Sequence, residues 1–161
     1  GPTTGLVAHR HTEEVLKQVI SESRYRLFIV SFVAYDIQSV TSALQDAIGR
    51  QVCVDILLES SKAHGGKIDI DSLKTMSRQL PSAKFYRWKK NPDSNDKIIG
   101  AVHAKCAVAD GNLAFITSAN LTRAAMENNM ELGVLVKGGQ LPDTLARHLE
   151  ALSTTGVIKQ I

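Results

Sequence analysis

The sequence predicts an α/β fold, with a mixed β-sheet flanked by helices on both faces. Three observations predict it. Apolar runs of helical period alternate along the chain with dense β-branched runs of strand type. One helix separates the first two strand-type runs, which calls for a right-handed crossover and parallel pairing. A later pair is separated only by Asp110-Gly111-Asn112, a turn that folds its flanks into an antiparallel hairpin. Both kinds of pairing in one sheet make it mixed, and the intervening helices cover its two faces.

The elements follow in order. Gly1-Pro2 reads as the remnant of a removed affinity tag, and residues 1–10 as a tail ahead of a single domain spanning 11–161. Thr12 stands as the cap of a helix to about Ser23, with Val15, Leu16, Val19 and Ile20 on one face. Arg26 to Phe32 has the pattern of a strand buried on both faces. Asp36 caps a helix through about Gly49, with Val40, Ala43, Leu44, Ala47 and Ile48 inward and Gly49 in the stop position. Val52 to Leu58 is the second buried strand, and Glu59 to Asp69 a polar loop. Asp71 starts a helix to about Gln79, ended by Pro81. Phe85 to Trp88 is a short strand and Lys89 to Gly100 a polar connector. Val102 to Ala109 alternates as a strand and Leu113 to Thr117 returns. A short helix starts near Leu121, Glu131 to Val136 is a strand, and Asp143 to Leu152 is the closing helix.

A chain of 161 residues makes one domain. At 43% apolar and 22% charged residues it is neither disordered nor fibrous. Nineteen basic against sixteen acidic residues give +3, compatible with an anionic partner but far from an arginine-rich arm. The longest apolar stretch, Leu27 to Tyr35, is nine residues with Ser31 inside it, against roughly 20 for a membrane-spanning helix. The N-terminus has no basic segment followed by an apolar one, so a cytoplasmic protein without a membrane partner is expected. Cys53 and Cys106 sit in apolar strand-like runs and read as buried, reduced thiols of a reducing compartment. No Cys or His pair has ligand spacing, so neither metal nor cofactor is expected.

The chemistry concentrates in residues 103–120. His103 and Lys105 are two apart on a strand and therefore share a face. Lysine is almost never fully buried unpaired, so something anionic should meet that face. Ser118 and Asn120 follow the returning hairpin strand and bring a hydroxyl and an amide to the same place. Imidazole, ammonium, hydroxyl and amide together make a cradle for a tetrahedral phosphate.

The pattern H-x-K-x4-D, then a hairpin return and S-x-N, resembles the HKD motif of the phospholipase D superfamily. It comprises His103, Lys105, Asp110, Ser118 and Asn120, and Glu131 matches the acidic residue that usually follows. The strand-helix-strand over 42–59, SALQDAIGRQVCVDILLE, is similar to the family's approach to its site, so the resemblance covers most of the chain. Thr117 stands where the family commonly carries a glycine, a departure that bears on the shape of the phosphate pocket.

The resemblance implies a phospholipase D-like fold and a metal-independent phosphodiesterase. A histidine attacks phosphorus to form a covalent phosphohistidine, and a second histidine protonates the leaving oxygen. The implied catalytic set is His103, Lys105, Ser118, Asn120, Glu131 and Asp110. Within it, Glu131 holds the other imidazole nitrogen, while Asp110, at a turn, holds the hairpin and nearby backbone. Two HKD motifs make one site and this chain has one, so the resemblance implies either two chains paired across a two-fold axis or a chain that is half of something larger; a homodimer with His103 of each copy facing across the site is expected. Small bacterial endonucleases of the family are similar in length. Single-motif members also occur in antiphage systems such as DISARM, which makes other subunits of a defence complex candidate partners.

Plainer readings stand beside these. Ser118 and Asn120 could cap the helix near Leu121, Asp110-Gly111 is a turn signal in any hairpin, and Glu131 could be a strand-edge charge. His9 and His11 read as solvated, His64 as part of a loop with Lys62 and Lys67, and Asp71 of the Asp69/Asp71 pair as a cap. Trp88-Lys89-Lys90 combines a stacking surface with two cations suited to nucleic acid, or is an ordinary strand end. Three functions remain: a nuclease on nucleic acid, DNA ahead of RNA; a phospholipid phosphodiesterase or transferase, for which no basic amphipathic helix speaks; and a non-catalytic or weakly active dimeric nucleic-acid-binding module.

Overall fold

The alternating runs close into one mixed sheet with helices on both faces. A computed structural model of the chain describes residues 11–30, 37–58, 70–88, 102–119 and 131–161. Its elements are α1 (Thr12–Glu22), β1 (Arg26–Val30), α2 (Gln38–Gly49), β2 (Cys53–Leu57), α3 (Ile70–Gln79), β3 (Lys84–Trp88), β4 (Cys106–Ala109), β5 (Leu113–Thr117), β6 (Gly133–Lys137), α4 (Gln140–Thr154) and β7 (Ile158–Gln160). Among the described residues the sheet has seven strands in the order β6-β5-β4-β1-β2-β3-β7. The β1–β2 and β2–β3 pairs are parallel, as one-helix crossovers require, and the other pairs are antiparallel.

Each central strand is buried on both faces and so feeds two cores. Leu27, Ile29, Val54, Ile56 and Phe85 pack on one side against Val15, Leu16, Val19 and Ile20 of α1, Val40 and Leu44 of α2, and Met76 of α3. Phe28, Val30, Leu57, Tyr86, Cys106 and Val108 pack on the other against Leu149 of α4. Full burial of one such aliphatic side chain is worth about 1.5–3 kcal/mol.

Several boundaries differ from expectation. Thr12 is the first helical residue of α1, and His11 occupies the cap position without a side-chain capping bond to the helix. Ile37 occupies the cap position of α2, while Asp36 lies outside the described residues. Gly49 remains helical, and the left-handed turn after α2 falls on Gln51, with φ of 67°. Asp71 lies inside the first turn of α3 rather than ahead of it. The helix expected near Leu121 lies outside the described residues. β7 carries no periodic signal in the sequence, because its three residues are too few to show one.

The two cysteines part company. Cys106 is buried, and burial pushes its thiol up to about 11. Cys53, expected to be buried, is exposed, because the first residue of β2 turns its side chain past the end of the core. Among the described residues no helix is long and apolar enough to cross a membrane.

Candidate active site

The parallel strands β1, β2 and β3 all end at one edge of the sheet, the edge where ligands bind in open α/β folds. Val30, the last residue of β1, pairs with Cys106, the first of β4. Lys105 and His103 therefore emerge at this edge. The expected strand over 102–109 begins only at Cys106, so His103 and Lys105 precede it. The β4–β5 ladder still reaches one residue further, because the Thr117 N–H donates to Lys105 O at 3.1 Å. His103 is exposed and Lys105 half-buried. The Lys105 ammonium donates to His103 O at 2.9 Å, which ties the Lys105 side chain to the His103 backbone.

β5 and β6 bring the next pair to the same edge. Ser118 follows β5 and Glu131 precedes β6. The Ser118 hydroxyl donates to Glu131 Oε2 at 2.5 Å and accepts the Leu132 N–H at 3.1 Å. The Ser118 N–H donates to Leu132 O at 2.9 Å, so backbone and side chain together clamp the two segments. Thr117 contributes to the same clamp: its hydroxyl donates to Leu132 O at 3.3 Å and accepts the Ala119 N–H at 3.0 Å. The departure from glycine at this position thus supplies a hydroxyl that builds the turn. Gly133 permits the close approach of β6, since a Cβ there would lie 2.6 Å from the Phe115 ring. A glycine inside a strand-type run is the sequence signal for such an approach.

Asp110 goes elsewhere. It stands at the opposite end of β4 from Lys105. Its carboxylate accepts the N–H groups of Arg24, Tyr25 and Arg26 at 2.7, 2.8 and 2.8 Å, and its own N–H donates to Arg26 O at 2.9 Å. Its left-handed φ of 54° aims the side chain at that turn.

Trp88 ends β3 at the site edge, but its ring is half-buried against the α4-side core. Asn120, Lys89, Lys90, His9 and His64 lie outside the described residues. Among the described residues no group of three His, Cys, Asp or Glu stands together as a metal site.

Comparison with known proteins identifies the family of the chain. The family model for the cardiolipin synthase, PLD-like domain matches residues 16–153. The chain belongs to the phospholipase D-like family. Among curated proteins, none matches it in sequence. Its fold is similar to that of Nuc from Salmonella typhimurium, a phospholipase D family member, with TM-score 0.68 and 19% identity over 92% of this chain and 89% of that one. NucT from Helicobacter pylori gives TM-score 0.71 and 21% identity over the same shares. A phosphatidylserine synthase from Haemophilus influenzae gives TM-score 0.67 and 12% identity over 92% of this chain and 36% of that one. The mixed seven-stranded sheet with four described helices is thus a phospholipase D-like fold, and membership supports phosphodiester chemistry in general.

Proposed function

We propose that this chain is a phosphodiesterase that cleaves nucleic acid through a covalent phosphohistidine on His103, without a metal ion. The observation that carries this reading is the convergence of an exposed histidine, a lysine and a serine–glutamate pair on the carboxyl edge of a phospholipase D-like sheet. A His103 nitrogen attacks phosphorus; a P–N bond forms as the bond to the leaving oxygen breaks, and a second histidine gives that oxygen its proton. Water then loses a proton to the second histidine and attacks phosphorus, breaking the P–N bond. Lys105 and Asn120 donate to the non-bridging oxygens as charge builds on them. The proton of Ser118 is committed to Glu131, so Ser118 acts by holding that carboxylate, and Glu131 sets the imidazole tautomer. Asp110 serves the fold.

In this reading the second histidine is His103 of a second copy across a two-fold axis. The net charge of +3 favours nucleic acid as substrate, and the reading puts DNA ahead of RNA. An archaeal chromatin protein described by its mode of DNA binding shares the fold at TM-score 0.56, with 14% identity over 95% of this chain and 53% of that one. The phosphatidylserine synthase neighbour favours a lipid reading.

The test is hydrolysis of bis(p-nitrophenyl) phosphate, single-stranded DNA and phospholipid vesicles in excess EDTA. The diester and the DNA should be cleaved and the vesicles spared. His103→Ala should remove at least about 10³-fold of the turnover while the particle mass stays that of two chains. Turnover surviving in His103→Ala would overturn the nucleophile, and cleavage of lipid alone would overturn the substrate.

A further inference from the structure

The strand register sets three cations in one line across the sheet. Successive cross-strand pairs join Cys106, Val30, Leu57, Tyr86 and Gln160 into one row through β4, β1, β2, β3 and β7. One step toward the site edge, the next row holds Lys105, Leu58, Arg87 and Lys159. Arg87 and Lys159 are direct partners, and the Leu58 N–H donates to Tyr86 O at 2.9 Å as β2 runs on beside β3. Residues opposite one another across strands share a face. The same alternation that buries Phe85, Leu58 and Ala107 in one core puts Arg87 and Lys105 on that side of the sheet.

Arg87 and Lys159 are exposed, and the side chain of neither makes a hydrogen bond or ion pair with any described residue. Like charges directly opposite on an antiparallel pair repel. Edge strands commonly carry lysine against unwanted pairing, which accounts for Lys159 on β7. It does not account for Arg87, because β3 has a strand on each side. An anion lying across the pair removes the repulsion.

At about 4.8 Å per strand, Arg87 stands about 14 Å and Lys159 about 19 Å from Lys105. A single phosphate cannot touch both Lys105 and Lys159, whereas a strand with a phosphate at every nucleotide can. We infer that Arg87 and Lys159 form a second phosphate subsite, which grips the backbone of a nucleic-acid strand whose reacting phosphate lies at Lys105. The inference rests on the phosphodiesterase reading and deepens it: the substrate is an extended polyanion, held here by sequence-independent contacts.

The test compares the unaltered protein with the Arg87→Ala/Lys159→Ala double variant. Binding of a long single-stranded oligonucleotide and of a dinucleotide is measured against salt, alongside hydrolysis of bis(p-nitrophenyl) phosphate. The variant should lose about tenfold more affinity for the long strand than for the dinucleotide. Its log K against log salt should be shallower by roughly 1.4, or roughly 0.7 for each lost contact. Its thermal midpoint should rise as the repulsion goes. An unchanged long-strand affinity and salt slope would overturn the subsite, even where the small diester is still cleaved. Equal losses on both ligands would overturn its separation from the reacting phosphate. Failure of both proteins to cleave the small diester would instead sink the phosphodiesterase reading, and the binding comparison would still decide the subsite.

Discussion

Ser118 and Asp110 belong to the same motif in sequence, yet they do opposite work. The Ser118 hydroxyl is held between Glu131 and the Leu132 N–H at the site edge. The Asp110 carboxylate collects three backbone N–H groups at the far end of β4. A carboxylate that satisfies three N–H groups at the turn from α1 into β1 stabilises the fold. Asp110→Ala hands those exposed donors to water and should cost about 1–2 kcal/mol in urea unfolding. Its kcat per folded molecule should stay near that of the unaltered protein. A collapse of kcat at full stability would show that Asp110 reaches the reaction after all. The turn signal in Asp110-Gly111 was legible in the sequence. Its partners were not, since Arg24, Tyr25 and Arg26 lie more than eighty residues away.

Among the elements, β1, β2, β3 and α4 are tied by a polar network beneath α4. The Arg26 guanidinium meets Asp55 at 2.9 Å and Glu150 at 2.7 Å, and the Tyr86 hydroxyl donates to Asp55 at 3.2 Å. Burial, with Asp55 beside it, pushes the Tyr86 phenol above its ordinary value. Asp55 is buried while Arg26 is partly open to water. The loss on Asp55→Ala should therefore fall short of a fully buried pair, at about 1–3 kcal/mol. Asp55→Asn, which keeps an acceptor for Tyr86, should lie between, as chemical denaturation of the three proteins would read. An Asn variant no better than Ala would assign the whole effect to the charge. The helices and central strands were legible because their periods are local: all four apolar residues expected on one face of α1 are buried. The network was not, because Asp55 in a buried strand carries no sign of the arginine that meets it.

For the whole molecule, the proposed pairing of two chains makes the site a property of two copies. Mixing His103→Ala chains with an equal amount of unaltered chains, and allowing exchange, should leave about one quarter of the pairs with both histidines. Activity per total chain should then fall to about one quarter, where independent monomers would keep about one half. A value near one half sinks the shared site. The sequence by itself determined the element types, the mixed sheet and the family, because helix period, hairpin turn and H-x-K and S-x-N spacing are all short-range. The tertiary structure alone decided which end of β4 Asp110 occupies, that Ser118 and Glu131 meet, that Cys53 is exposed, and that Arg87 and Lys159 stand in the row of Lys105. The physical reason is register: hydrogen bonds between strands far apart in the chain set the rows of a sheet, and no local pattern encodes which residues fall into the same row.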